Sequence, residues 1–306
     1  MLSGREAGQH SVAEPDATPA TPRCHICAGT RLQQLFAKDG YAVARCADCT
    51  LQFLDPQPDD ATLAKIYDAG YFLGKPGADA EDRVQRMKRA TAALYVERLV
   101  LGLGKAQGRI LEIGCGRGEF LLEARSRGFE VSGIEFSKDA AAIANRRLGT
   151  ETVQAGTIED ARHSASTFDA VVFADVLEHV RDPLDFLKRV YALLKDGALV
   201  LLATPALDSF SARLLGRHWM EYKVEHLYYF NRRSIRLALG KAGFREVSIG
   251  NNRKVLSLDY VCHHFQRFPV PLFTPLLKAA RKMAPSGLAY RHWQVSASGL
   301  LVTARR

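Results

Sequence analysis

The chain has 306 residues, of which 47% are hydrophobic and 25% are charged, values typical of a globular protein that buries a sizeable core. No apolar run approaches the roughly 18 residues that a membrane-spanning helix needs, which excludes an integral membrane protein. The net charge of +9 is concentrated near the C-terminal end, because residues 251–306 carry nine basic residues against one acidic residue, Asp259.

Residues 1–22 form the first predicted segment. They lack the apolar stretch of a secretory signal, and they are rich in Ala, Pro and Thr. We therefore expect a disordered leader and a cytoplasmic location.

Residues 23–53 are predicted to form a cysteine module. The spacing C-x2-C-x18-C-x2-C is made by four residues, Cys24, Cys27, Cys46 and Cys49. Two such pairs on a hairpin are typical of a tetrahedral structural Zn²⁺ site, whose closed ligand sphere leaves no position for catalysis. A disulfide framework is disfavoured in a cytosolic protein of this size. His25 is expected to be a solvated turn residue, and Cys115 and Cys262 are expected to be thiols that fill small spaces.

Residues 54–104 are predicted to form a helical linker or cap, with a short helix followed by a longer one over about 81–101. Strands and helices then alternate, so residues 105–306 are expected to form one α/β domain with an insertion at about 251–293. The predicted strands are RILEI (109–113), FEVSGIE (129–135), ETVQA (151–155), FDAVVFA (168–174), ALVLLAT (198–204), REVSIGN (245–251) and SGLLVTARR (298–306). This alternation predicts a doubly wound, mostly parallel, seven-stranded sheet.

The loop after the first of these strands, within RILEIGCGRGEF (109–120), is a candidate ligand site. Its pattern is Glu112-x-Gly114-x-Gly116-x-Gly118, which departs from the G-x-G-x-x-G of dinucleotide-binding loops and lacks the lysine of a phosphate-binding loop. An acid before the first glycine repels a pyrophosphate but suits a ligand that carries a positive charge. Glu135 ends the next strand, 23 residues after Glu112, where a ribose diol needs an acceptor. A cationic ligand with a ribose points to S-adenosylmethionine.

Four motifs in this order, ILEIGCGRGEF, GIEFS, FDAVVFADVLEHVRDP and LVLLATP, resemble the class I (Rossmann-like) S-adenosylmethionine-dependent methyltransferase family over about residues 105–250. With the cysteine module and the intervening YDAGYF, the chain is similar to a subgroup that carries an N-terminal zinc module with four cysteine ligands. The resemblance implies S-adenosyl-L-methionine as cofactor. It places Gly114 and Gly116 against the methionine moiety, Glu112 at its ammonium group and Glu135 at the ribose hydroxyls.

The resemblance also implies roles for residues beyond these. Phe136 is expected to pack on the adenine, and the backbone near Thr157 and Ile158 to recognise it, because the acid that many family members carry there is replaced by Thr157. Asp175 is expected to line the junction between cofactor and acceptor. The remaining cofactor-binding residues of the prediction are the loop residues Cys115 and Gly118.

Two histidines are candidates for the general base that an aliphatic hydroxyl acceptor requires. His179 lies in DVLEHV at the carboxyl end of the fourth strand, and His226 lies in EHLYYF, within a segment that is expected to close over the acceptor. The alternatives are a surface helix residue for His179 and a structural hydrogen-bonding role for His226. Tyr67 and Tyr71 are expected to reach over the cofactor pocket.

The resemblance, with EHLYYFNRRS (225–234), implies a small-molecule acceptor and favours O-methylation of a sugar, glycolipid or secondary metabolite. An RNA base methyltransferase with a zinc-binding recognition module is the alternative, because aromatic and basic residues lie close together near the C-terminal end. Against RNA, the cysteine module is not strongly basic and residues 1–250 are nearly neutral. A non-catalytic binding protein is a third interpretation, disfavoured by the intact glycine loop and Glu135.

Residues 251–293 mix apolar and basic side chains. This composition is consistent with contact between the insertion and an anionic membrane surface. It is also consistent with a patch for a charged acceptor. The interpretation that we favour is a helical pair that packs on the sheet and exposes a basic face.

Overall fold

The structure is a computed structural model that describes residues 22–66, 78–267, 269–270 and 273–306. The expected leader lies almost wholly outside these ranges, and so do Tyr67 and Tyr71. No helix within the described ranges is both long enough and apolar enough to cross a membrane.

The strands are β1 (Leu32–Lys38), β2 (Tyr41–Cys46), β3 (Gln52–Leu54), β4 (Gly108–Ile113), β5 (Phe129–Glu135), β6 (Val153–Ala155), β7 (Phe168–Ala174), β8 (Leu194–Pro205), β9 (Tyr228–Tyr229), β10 (Arg245–Leu256) and β11 (Trp293–Arg305). The α-helices are α1 (Asp60–Ile66), α2 (Ala78–Leu103), α3 (Glu119–Ser126), α4 (Lys138–Leu148), α5 (Pro183–Leu193), α6 (Phe210–Leu215), α7 (Arg232–Lys241), α8 (Leu258–Arg267), α9 (Phe273–Met283) and α10 (Ser286–Ala289).

The larger sheet has the strand order β10-β11-β8-β7-β4-β5-β6. Strands β6, β5, β4, β7 and β8 are parallel, whereas β11 is antiparallel to both β8 and β10. The prediction of a mostly parallel α/β sheet is therefore confirmed. From β4 the chain builds outward first through β5 and β6 and then, on the other side, through β7 and β8. Such a reversal opens a crevice at the carboxyl ends of the strands.

The two faces of this sheet are covered by different helices. Ile110, Val172 and Leu201 belong to a buried cluster with α2, α3 and α4. The alternate residues Leu111 and Val171 belong to a second cluster with α5, α7 and the cysteine module. Side chains of a strand alternate between faces, so near-continuous apolar strands such as β7 and β8 can bury both.

The cysteine module forms a second sheet, with the order β1-β2-β3-β9 and antiparallel pairing throughout. Its last strand, β9, comes from the segment that the sequence analysis assigns to a closing element. Tyr228 pairs with Phe53, and Tyr229 pairs with Gln52. The segment is therefore buried, and it joins the cysteine module to the larger domain.

Local side chains determine several helix boundaries. Ser137 Oγ accepts the N–H of Ala140 at the start of α4, and Gly149, with φ 66°, ends the helix in the left-handed region, as the sequence predicts. Asp182 caps α5 by accepting the N–H groups of Leu184 and Asp185.

Two strands differ from their predicted lengths at the start and end of the expected insertion. β10 continues to Leu256, and β11 begins at Trp293, because these residues pair with each other across a long antiparallel hairpin. Residues 251–254 (NNRK) are a run of polar side chains, so their own pattern gives no strand signal. The helices of the segment, α8 to α10, begin only after this hairpin strand.

Asp169 at the start of β7 joins three strands of the sheet. Its carboxylate accepts the Arg109 N–H at 2.9 Å, Lys195 Nζ at 2.9 Å and Lys105 Nζ at 3.3 Å. Burial alone would raise the pKa of Asp169, but these donors outweigh it and lower the pKa to about 2. The folded-state pKa lies below the unfolded value, so the ionised carboxylate stabilises the fold above about pH 4, and this stabilisation is lost as the pH falls towards 2.

We expect Asp169→Asn to lower the free energy of unfolding at pH 7 by about 1–2 kcal/mol. Denaturant unfolding of both proteins from pH 7 to pH 3 checks this, and the difference should shrink as the pH falls. Asp196→Asn is the control, because Asp196 is almost fully exposed and its ion pair with Arg306, at 3.3 Å, lies at the surface. A difference between Asp169→Asn and the unmodified protein that stays constant with pH would contradict this account.

Candidate active site

A cavity of about 1290 Å³ opens at the carboxyl ends of the central strands. This volume exceeds that of a typical single-ligand pocket and suits two ligands side by side. One end is lined by residues that follow β4, β5 and β6, namely Gly114, Gly116, Glu135, Phe136, Thr157 and Ile158. The other end is lined by Asp175, Glu178, His179, Glu221, His226 and Lys254.

The glycine loop brings backbone to the surface of the cavity. Gly114 and Gly116 have φ values of 73° and 53°, in the left-handed region that favours glycine. A Cβ atom on Gly114 would lie 2.5 Å from Val176 Cγ2, whereas a Cβ on Gly116 would meet no described atom within 4 Å. The first glycine therefore allows close packing, and the second leaves room for a ligand to approach the backbone.

Glu135 is fixed at the edge of the cavity by two backbone bonds. Its Oε2 accepts the Gly116 N–H at 2.7 Å, and its Oε1 accepts the Ser137 N–H at 2.9 Å. Each carboxylate oxygen has a second lone-pair direction, so the group can still accept hydrogen bonds from a diol. The buried, oriented carboxylate beside an open glycine backbone fits the ribose and methionine ends of S-adenosylmethionine.

Three predicted cofactor-binding residues lie behind the loop and do not line the cavity. Glu112 is buried, and its pKa is raised by burial and by the charges of Glu119 and Glu135. Cys115 packs beneath β5, where its Sγ would lie 2.9 Å from a Cβ on Gly133. Gly118 begins α3 and packs against α4. These positions shape the loop from beneath.

Phe136, Thr157 and Ile158 meet at the far end of the same half of the cavity. Phe136 is 59% exposed and lines the cavity. Thr157 donates both its N–H and its hydroxyl to Asp160 Oδ2, at 3.0 and 2.9 Å. This internal bonding orders the loop on which Ile158 stands.

His179 and His226 contact each other at the opposite end, with ring centroids 4.7 Å apart and nearly perpendicular planes. His179 Nδ1 lies 2.9 Å from the carbonyl oxygen of Glu225, and His226 Nδ1 lies 2.9 Å from that of Glu221. Because a carbonyl only accepts, both Nδ1 atoms carry the proton when the rings are neutral. Burial lowers the pKa of His179 to about 4 and that of His226 well below its usual value, so both rings are neutral near pH 7.

Glu178 lies beside the histidine pair and is 1% exposed. Its Oε2 accepts the Thr204 hydroxyl at 3.0 Å, and its Oε1 has no hydrogen-bond partner among the described residues. Burial and the nearby charge of Asp175 raise the pKa of Glu178 to about 8. Sequence reasoning missed this residue, although its position next to His179 was a signal.

Lys254 is a second residue of the cavity that sequence reasoning missed. Its Nζ lies 2.7 Å from Asp175 Oδ2, and on the same strand the amide of Asn252 accepts the Tyr95 hydroxyl at 2.9 Å. The sequence pattern places this lysine in a basic insertion. The extension of β10 instead carries it into the cavity, opposite the loop after β7.

The four cysteines of the module lie together, with one ligand atom from each within 4.8 Å of the others. The Sγ atoms of Cys24 and Cys49 are 3.4 Å apart, as are those of Cys27 and Cys46. Tetrahedral zinc with Zn–S bonds of about 2.3 Å requires S···S separations of about 3.8 Å, so the donor set and its spacing fit this ion.

The cysteine module also contacts the active site through Tyr228. Its hydroxyl bonds to His25 Nδ1 at 2.8 Å, to Gln57 Nε2 at 2.7 Å and to the carbonyl oxygen of Arg181 at 2.9 Å. His25 is an exposed turn residue, as the sequence predicts, and it also bonds to Tyr228. Next to Tyr228, the N–H of Leu227 donates to the carbonyl oxygen of Glu178 at 2.8 Å.

Comparison with known proteins relates this chain to methyltransferases. A model of a methyltransferase domain matches residues 83–249. Ubiquinone biosynthesis O-methyltransferases from Vibrio parahaemolyticus and Xanthomonas axonopodis pv. citri are 35% identical over 116 residues and 32% identical over 129 residues. These matches cover 35% and 40% of this chain and 49% and 54% of the relatives, so the chain spans about half the length of the curated relatives it matches.

A solved S-adenosylmethionine-dependent methyltransferase from Archaeoglobus fulgidus has a similar fold, with a TM-score of 0.50, 18% sequence identity, and coverage of 81% of this chain and 100% of that one. At this identity the likeness concerns the fold alone. The family match covers more than half of the chain and includes the glycine loop, Glu135 and the strand that leads to His179. The chain therefore belongs to the methyltransferase-domain family, with the fold of class I S-adenosylmethionine-dependent methyltransferases.

Proposed function

We propose that the protein transfers a methyl group from S-adenosylmethionine to a hydroxyl group of a small molecule. The observation that carries this proposal is the cavity itself, which has the glycine loop and Glu135 at one end and the histidine pair at the other. The curated relatives are named as O-methyltransferases of ubiquinone biosynthesis, which supports a small-molecule hydroxyl as acceptor. A sugar, a glycolipid or a secondary metabolite fits this class.

We assign the cofactor to the first half of the cavity. Gly114 and Gly116 let its methionine end approach the backbone, Glu135 accepts the ribose hydroxyls, and Phe136 packs on the adenine. When bound, S-adenosylmethionine supplies an electrophilic methyl group on a sulfonium. Asp175 lines the acceptor half and is held in place by Lys254, and we assign it to the junction between the two ligands.

The main contribution of the chain to the reaction is alignment of donor and acceptor, worth about 7–11 kcal/mol at best. The acceptor hydroxyl must also lose its proton. His179 and His226 are neutral at pH 7 and line the acceptor half of the cavity, so we assign them to the control of that proton. The four cysteines are assigned to a structural Zn²⁺ ion, because a closed thiolate set keeps no open position.

We expect His179→Ala to lower turnover by about 100-fold and to leave the affinity for S-adenosylmethionine unchanged. The reason is that His179 lies in the acceptor half, away from the glycine loop. Single-turnover methylation together with calorimetric cofactor titration measures both quantities. His218→Ala serves as the control, because His218 is exposed on the segment that leads to His226. Unchanged turnover in His179→Ala would remove this residue from the mechanism.

The acceptor class is tested with S-adenosylmethionine labelled on its methyl group and a lysate separated into nucleic acid, protein, lipid and small-molecule fractions. Glu135→Ala is the blank, because it removes the proposed ribose acceptor. Label in the lipid or small-molecule fraction is the expected result. Label in RNA would overturn the proposal and would assign the basic residues near the C-terminal end to phosphate binding.

A further inference from the structure

We propose that helix α9 docks the protein on an anionic lipid bilayer and places the side of the cavity that α8 lines next to the lipid. This inference goes beyond the proposed function, because it assigns a partner surface to a segment outside the catalytic machinery. Helices α8 to α10 follow residues 83–249, which the methyltransferase-domain model matches. The shared domain therefore does not account for them.

Helix α9 exposes an apolar face. Leu276 and Met283 are 69% and 85% exposed, and Phe273 is 46% exposed. These residues recur at intervals of three and seven, which places them on one side of an α-helix. Leu288 of the following helix, α10, is exposed as well. Exposed apolar side chains that are grouped in this way, with polar residues around them, mark an interaction site.

The opposite side of α9 is fixed to the protein by specific contacts. Arg281 donates to Asp259 of α8 at 2.8 Å and to the Tyr290 hydroxyl at 3.0 Å. Thr274 is buried, and its hydroxyl oxygen accepts the Val270 N–H at 2.8 Å. These contacts determine which side of the helix faces the protein, so the apolar face points outward.

The charge around this face indicates the partner. Residues 260–306 contain no Asp or Glu. Lys278 and Lys282 of α9 are exposed, and so is Arg291 beyond α10. A helix that exposes apolar side chains with lysines beside them is typical of segments that bind in the interfacial region of an anionic membrane. Each lysine near such a surface adds to the attraction.

A second copy of the chain fits the same face less well. A symmetric contact would bring α9 of one copy against α9 of the other. The lysines of both copies would then meet, and the segment has no carboxylate to separate them. An anionic bilayer instead offers an apolar interior to Leu276 and Met283 and phosphate groups to Lys278 and Lys282.

The apolar face is connected to the cavity through two phenylalanines. Tyr260, Val261, His264 and Phe265 of α8 line the cavity. Phe265 also packs against Phe273 of α9, with ring centroids 4.9 Å apart. Docking through α9 would therefore bring this side of the cavity to the bilayer. A consequence, which rests on the proposed function, is that the acceptor is an amphiphile that reaches the cavity along α8.

Co-sedimentation with lipid vesicles tests this surface. Purified protein, without S-adenosylmethionine, is mixed with vesicles of equal parts phosphatidylglycerol and phosphatidylcholine, or of phosphatidylcholine alone. We expect the anionic vesicles to bind the protein at least about tenfold more strongly, and added salt to weaken this binding. The double variants Leu276→Ser/Met283→Ser and Lys278→Glu/Lys282→Glu should each lower the partition coefficient at least about tenfold.

Two variants on other surfaces are the matched controls. Leu101→Ser removes an exposed apolar side chain at the C-terminal end of α2, whereas the N-terminal part of α2 contacts Tyr290 through Arg83. Lys188→Glu/Lys241→Glu makes the same change of charge on α5 and α7, where both lysines are exposed. Both controls should bind vesicles as the unmodified protein does. Thermal unfolding reports whether each variant is folded.

Absence of binding, equal binding to both kinds of vesicle, or unchanged binding by the folded α9 variants would overturn the proposal. Sedimentation velocity without lipid tests the second copy. A dimer that dissociates in Leu276→Ser/Met283→Ser would assign the face to self-association and would also overturn it. Vesicle binding is measured without cofactor, so its failure is distinct from a failure of the labelling experiment, which concerns methyl transfer itself.

Discussion

Glu135→Ala is expected to weaken the binding of S-adenosylmethionine by at least about 100-fold. Hydrogen bonds to charged groups contribute about 1.5–3 kcal/mol each, and the ribose diol makes two of them to this carboxylate in the proposed complex. The substitution also leaves the N–H groups of Gly116 and Ser137 without the acceptor that orders the loop. Isothermal titration calorimetry with S-adenosylmethionine measures the effect.

Two further variants separate binding from folding. Glu130 lies on the same strand, but its side chain is exposed and pairs with Arg109, so the cofactor affinity of Glu130→Ala should equal that of the unmodified protein. Glu135→Gln keeps the size of the side chain and one acceptor oxygen, so its cofactor affinity should lie between those of Glu135→Ala and the unmodified protein. If Glu135→Ala binds the cofactor normally, the ribose lies elsewhere and the cofactor assignment fails.

The half of the cavity that we assign to the cofactor could be predicted from short-range sequence patterns. The glycine loop lies directly after a buried strand, and Glu135 ends the next strand, so the parallel sheet brings both to one edge. The N-cap at Ser137 and the left-handed Gly149 are likewise local, because each depends on its own side chain or backbone. These features could be predicted because contacts within a βαβ unit depend on few other residues.

The acceptor half could not be predicted in the same way. Lys254 meets Asp175 only because β10 pairs with β11, and the polar run that surrounds the lysine carries no strand pattern. His226 meets His179 because β9 pairs with β3, far away in sequence. A two-residue strand has no periodicity to detect. Such contacts are decided by tertiary packing, and the sequence alone located the histidines without placing them together.

Loss of zinc from the cysteine module is expected to abolish methyl transfer while leaving cofactor affinity within about threefold. Structural zinc contributes about 10–16 kcal/mol of binding free energy in small modules, so Cys46→Ser should unfold the sheet β1-β2-β3. β9 then loses its partner strand, and the bonds from Tyr228 to His25 and Gln57 are lost. The buried segment that carries His226 and β9 is then no longer held against Glu178. The glycine loop keeps its position, because it follows β4 in the larger sheet.

Cys262→Ser is the matched control for this variant, because Cys262 is buried and lies outside the cluster, so it should keep one zinc ion per chain and full turnover. Zinc analysis, cofactor calorimetry and turnover of all three proteins are compared. Normal turnover without zinc would show that the module does not position the acceptor site. An equal loss of turnover and cofactor affinity would mean that the whole domain unfolds with the module. Loss of turnover with nearly unchanged cofactor affinity would show that zinc acts through the buried segment that joins the module to His226.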